Sequence, residues 1–173
     1  MNVNLTPKER TLLEDQRTHE EICIQKYSNY ANLASNQQLK ELFSNHAQIE
    51  QEHLISINQL LNGQVPAMNQ QGGGQQQQGQ QQQQQMLQQQ MQQQMQQQPN
   101  IFQQQNANLQ SDKDLCTDML MTEKYVSNAY DTAIFEFKDT QVRDVLNHIQ
   151  KEEQKHGEAI FKFMESNGLY SAQ

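Results

Sequence analysis

Basic residues are scarce in this chain: 12 Lys and Arg stand against 20 Asp and Glu, for a net charge of −8. Recognition of phosphate draws on clustered Lys and Arg, so nucleic acid is excluded as a partner. Long apolar runs are also missing. No stretch of about 18 such residues occurs, which excludes a membrane-spanning helix. Met1 to Pro7 has neither a basic region nor an apolar one, so no signal peptide is expected and synthesis should be cytoplasmic. Cysteine is limited to Cys23 and Cys116, far apart and at no zinc, rubredoxin or thioredoxin spacing. They read as two free, buried thiols. A disulfide between them would require an oxidising exterior. Tryptophan is absent altogether.

What the chain has in excess is glutamine. Residues 63–110 are low in complexity, with Gly72–Gly74 followed by glutamine runs broken by Met86, Met91 and Met95. Such a segment cannot bury enough apolar surface to fold, so a disordered crossover is expected there. Glutamine ladders can also drive self-association. The flanking segments, 5–62 and 111–167, are ordinary sequence and together long enough for one domain with a core. Thr6, Pro7 and Glu9 predict the start of a first helix. Ser35 or Asn36 can cap a second, which ends at Gly63. Ser111 with Asp114 can open a third. Asp139 can cap a fourth, which stops near Gly168.

The two flanking segments repeat one plan at a constant offset of 103. Asp15 corresponds to Asp118, Glu20 to Glu123, Tyr27 to Tyr130, Glu50 to Glu153 and His53 to His156. Five identities without a gap mark an internal duplication. The second helix carries Leu39, Phe43, His46, Glu50, His53, Ile57 and Leu60 at alternating steps of 4 and 3. The fourth carries Val142, Leu146, Ile149, Glu153, His156, Ile160 and Phe163 in the same way. These are seams that face the middle of a bundle. The first and third helices have matching seams, with Glu20 and Glu123 where hydrophobes are expected.

Glu20 and Glu50 are centred on the Ser35–Asn36 break, and Glu123 and Glu153 lie symmetrically about residue 138. Folding each hairpin therefore brings its two glutamates to one height. Pairing the hairpins gathers Glu20, Glu50, His53, Glu123, Glu153 and His156. One Glu from each of two helices and Glu-x-x-His from each of the other two is the di-metal carboxylate pattern. Four buried carboxylates would otherwise repel, and two divalent ions would neutralise them. Oxygen and imidazole donors suit iron, manganese or zinc, with iron or manganese preferred. Tyr27 and Tyr130, two turns along from Glu20 and Glu123, can hydrogen-bond a ligand carboxylate across the bundle. His46 sits one turn from Glu50 as a core or supporting histidine. His19 and His148 fall off the seams.

The constellation Glu20, Tyr27, Glu50, His53, Glu123, Tyr130, Glu153 and His156 resembles the centre of ferritin-like proteins such as bacterioferritin and rubrerythrin. That resemblance implies an all-α, ferritin-like four-helix bundle of two repeated hairpins joined by the Gln-rich crossover. The Cys-x-x-Cys module of rubrerythrins is missing, and so is the shorter crossover of cage-forming ferritins. The stretch "LTPKERTLLEDQRTHEEICIQKYSNYANLASNQQLKELF", followed by "IEQEH", resembles spore coat proteins of the coat F family. That resemblance implies a structural component of the bacterial endospore coat, located there, with other coat proteins or its own copies as partners. The alternative is a di-iron or di-manganese redox enzyme acting on O2 or peroxide. No catalytic residue is nominated beyond the metal ligands.

Overall fold

Four helices follow from these signals: α1 (Pro7–Leu33), α2 (Gln37–Leu61), α3 (Ile101–Glu136) and α4 (Thr140–Ser166). They are seen in a computed structural model that describes residues 3–66 and 101–170, with side chains of α3 described from Ser111 onward. The glutamine-rich run expected to be a disordered crossover lies largely outside the described residues. The helices pair as two hairpins, α1 with α2 and α3 with α4, in a four-helix bundle built from Met1–Pro66 and Asn106–Gln173.

Local chemistry sets most of the helix ends. The Thr6 backbone N–H and hydroxyl each donate to Glu9 at 2.7 Å, and the Glu9 N–H donates back to Thr6 Oγ1. This is a complete capping box with Pro7 in the first turn. Asn36 caps α2 by accepting from Gln38 and Leu39 N–H, and Asp139 caps α4 by accepting from Gln141 and Val142 N–H. Gly63 and Gly168 follow α2 and α4 at positive φ, 76° and 68°. There they support paired bonds back into the last turn: Gly63 and Gln64 N–H to Leu60 and Gln59 O, Gly168 and Leu169 N–H to Glu165 and Met164 O. Both are Schellman ends, where the left-handed conformation favours glycine.

One helix begins elsewhere than expected. α3 starts at Ile101, well ahead of Ser111. The residues from Ile101 to Gln110 contain no glycine or proline, so nothing in them halts a helix once it has formed. The acid beside Ser111 has a different task. Asp112 is buried, and its carboxylate accepts the N–H groups of Ser35 (2.7 Å) and Asn36 (2.9 Å) in the α1–α2 turn. Glu9, its counterpart at the repeat offset, accepts the N–H of Lys138 (3.1 Å) in the α3–α4 turn. Each hairpin thus fastens the turn of the other. The relation is reciprocal, as a pseudo-twofold axis requires.

The four seams point inward. Every seam residue of α2 and α4 named above is buried. The apolar core falls into two clusters. Leu13, Ile57, Leu60, Val126, Val142, Leu146 and Ile149 fill one, and Leu39, Phe43, Met119, Ile160 and Phe163 fill the other. Between the two lies a layer of acidic and imidazole side chains.

The Asp112 clasp is open to test. Asp112→Ala leaves two turn N–H groups without their charged acceptor, which should cost about 2 kcal/mol in urea unfolding. The exposed Glu158→Ala should leave the urea midpoint close to that of the parent.

Candidate metal centre

The layer between the two apolar clusters contains Glu20, Glu50, His53, Glu123, Glu153 and His156, all 3% exposed or less. The structure brings all six together. His53 Nδ1 lies 3.1 Å from oxygens of both Glu50 and Glu153, and 3.6 Å from Glu20. His156 Nδ1 lies 2.9 Å from Glu50, 3.8 Å from Glu123 and 3.9 Å from Glu153. The donors fall into two overlapping groups. Glu20, Glu50, His53 and Glu153 place one donor atom each within 4.8 Å of one another, as do Glu50, Glu123, Glu153 and His156. Glu50 and Glu153 belong to both groups.

The tyrosines complete a reciprocal pattern. Tyr27 donates its hydroxyl hydrogen to Glu123, and Tyr130 donates to Glu20, each across the bundle. Both rings are fully buried. His46 is in neither donor group. Its ring stacks on that of His156 at 4.2 Å and meets Tyr27 edge-on at 5.1 Å. His19 is partly buried, edge-on to Tyr125 at 5.3 Å, and His148 is exposed. Cys23 and Cys116 are free, buried, and in separate apolar clusters.

One structural residue escaped the sequence reading. Asp118 accepts from the Tyr30 hydroxyl at 2.7 Å and pairs with Lys26 at 2.6 Å, locking α1 to α3. The repeat flagged Asp118 but not its partners. Ala129 and Ala133 stand at the positions matching Lys26 and Tyr30, so Asp15 has no equivalent lock.

Two comparisons bear on this arrangement. Residues 111–173, the segment that supplies Glu123, Tyr130, Glu153 and His156, match the Coat F domain. The second hairpin is thus similar to a Coat F domain. The matched part is the second hairpin, whereas the wording that carried the resemblance lies in the first; the duplication connects them. The chain is also 33% identical over 63 residues to the uncharacterized protein YusN of Bacillus subtilis (strain 168). That stretch is 36% of this chain and 57% of YusN, so the chain spans little over half the length of that relative.

The acidic layer is electrostatically strained. Burial pushes the Glu20 and Glu153 carboxyls up to about 7 and raises Glu123 well above the carboxylate range. Burial alone would strip His53 of its proton, but Glu153, Glu20 and Glu50 outweigh it and hold the imidazolium. Burial drives His156 down to about 4, and the His53 charge adds to that. His46 falls to about 3 by burial, with His156 beside it. Burial and the surrounding glutamates raise Tyr27, Tyr130 and the Cys23 thiol, so all three keep their protons.

Hydrogen bonding leaves the layer unfinished. Both oxygens of Glu153, one each of Glu20, Glu50 and Glu123, and both nitrogens of His156 make no well-aligned hydrogen bond, although Glu153 and His156 Nδ1 each lie within ion-pair distance of a neighbour. Buried polar atoms normally make such a bond.

A pH dependence follows for the protein kept metal-free by chelator. Glu20 and Glu153 bind protons more tightly folded than unfolded, so their contribution favours folding at low pH and is lost as pH rises through about 7. His53 acts in the same sense. His46 and His156 act oppositely, but their effect is complete near their ordinary value of 6.5. The urea midpoint should therefore fall between pH 6.5 and pH 8, and Glu153→Gln should flatten that slope. A midpoint that climbs over the window contradicts this account.

Proposed function

We propose that this chain is a structural component of the bacterial endospore coat whose ferritin-like bundle holds two divalent metal ions. The Coat F domain supports the first half of that reading. The second half rests on one observation: two four-donor groups that share Glu50 and Glu153. In this reading Glu20, Glu50, His53 and Glu153 would hold one ion, and Glu50, Glu123, Glu153 and His156 would hold the other. Imidazole Nδ1 faces the carboxylates in both halves, as ligation requires.

The donor set fits the group. The carboxylate oxygens and one His156 nitrogen that make no well-aligned hydrogen bond have lone pairs to offer a cation, and four ionised carboxylates balance the charge of two divalent cations. Iron or manganese suits this mix of oxygen and imidazole. When bound, such a pair supplies Lewis acidity and one-electron redox capacity. The chain's own residues do the rest. Tyr27 and Tyr130 orient Glu123 and Glu20 and keep their phenolic protons. The two apolar clusters exclude water on either side. Assembly partners are other coat proteins or further copies of this chain.

Elemental analysis of purified protein tests the reading. About two metals per chain are expected, one for each donor group. Glu50→Ala and Glu153→Ala should each lose both ions, whereas Glu20→Ala should retain one. Folded protein that takes up no metal overturns the di-metal reading. Peroxide consumption by loaded protein would shift the balance from scaffold to enzyme. Absence of the chain from the coat fraction of spores would remove the structural role.

A further inference from the structure

The two halves of the bundle differ at one face. Between α3 and α4 a cleft of about 580 Å³ runs down to Glu123 and Glu153, the two acids of the second hairpin. Its wall includes Ser127 and Gly157. At the matching positions the first hairpin has Ile24 and Leu54, both partly buried. The cleft is therefore a product of two small residues where the duplicate kept two large ones. Gly157 has ordinary helical backbone, so its value here is space. A Cβ added to it would lie 3.9 Å from the Glu123 Cβ and 4.0 Å from Leu120 Cδ2, within the cleft wall.

The opening is also held in place. Gln150 donates its side-chain N–H to the Ser127 carbonyl at 3.0 Å, tying α4 to α3 beside the gap. Its counterpart in the first hairpin is Ala47, which cannot make that bond. The charges along the cleft are Glu123, Glu153, Asp131 and one lysine, Lys124, so the interior favours cations. Both Glu153 oxygens and one Glu123 oxygen are buried at its base without a well-aligned hydrogen bond.

We propose that this cleft is the port through which divalent metal ions enter and leave the centre, so that exchange takes place through the second hairpin. The inference rests on the di-metal reading above. Asp131, exposed near the mouth, draws cations in, and Glu123 and Glu153 are the first donors they meet. The duplicated hairpin, with Ile24 and Leu54, holds its pair of acids without an equivalent opening built from small residues.

The test uses the full chain and cobalt(II), whose visible absorption reports occupancy. Ser127→Ile with Gly157→Leu gives the second hairpin the residues of the first. Uptake, and stripping by a chelator, should both slow by about tenfold or more, with final occupancy unchanged. Equal rates in parent and variant overturn the port. If the double variant does not fold by circular dichroism, Asp131→Asn decides the matter: uptake should slow and lose salt dependence, and unchanged uptake overturns the proposal. Parent protein that binds no cobalt sinks the di-metal reading and the port with it. Parent protein that binds two ions, with rates indifferent to all three substitutions, sinks the port alone.

Discussion

The mutual repulsion of four carboxylates in one buried layer governs this structure. Glu20, Glu50, Glu123 and Glu153 are all buried, and each comes from a different helix. Without compensation such a layer would push the helices apart. Protons supply part of the compensation: carboxyls raised toward neutrality, an imidazolium on His53, and phenols donating to Glu20 and Glu123. The apolar clusters above and below must hold the bundle closed against what remains. That accounts for how densely they are filled with large side chains such as Phe43, Leu39, Ile57 and Leu146.

Most of the fold was legible because the heptad pattern and the duplication agree. Alternating steps of 4 and 3 told which face of each helix is buried, and the constant offset told that two hairpins share one plan. The polar residues on those seams were conspicuous for the same reason: Glu50 and His53 occupy positions where neighbours such as Ile57 and Phe43 are apolar. Caps were legible where a short polar side chain serves its own helix, as at Thr6, Asn36 and Asp139.

What escaped the sequence were interactions that depend on tertiary placement. Asp112 carries no local signal of its role, and only the packed structure shows that it serves a turn more than seventy residues away. Asp118 draws partners from α1, and no local pattern announces them. The start of α3 was misplaced for a related reason. A capping signal inside a helix-compatible stretch does not begin a helix when the preceding residues can already continue one. The role of Gly157 was hidden too, since a lone glycine in a helix carries no sign of what it makes room for.

The reciprocal contacts have an evolutionary reading. Tyr27 reaches Glu123 as Tyr130 reaches Glu20, and Glu9 holds the turn at Lys138 as Asp112 holds that at Ser35. This is the signature of an isologous interface, in which two identical copies exchange the same contacts. A single ancestral hairpin would have owned half of the donors and needed a twin to complete the set. Joining two such twins in one chain would remove the dependence of that encounter on concentration. It would also release them from being identical. A symmetric dimer must carry any substitution twice, whereas a fused pair can place His46 opposite Ile149 and Gly157 opposite Leu54. Handedness between the two sides of the molecule became available only once the symmetry was no longer enforced by having a single gene product used twice.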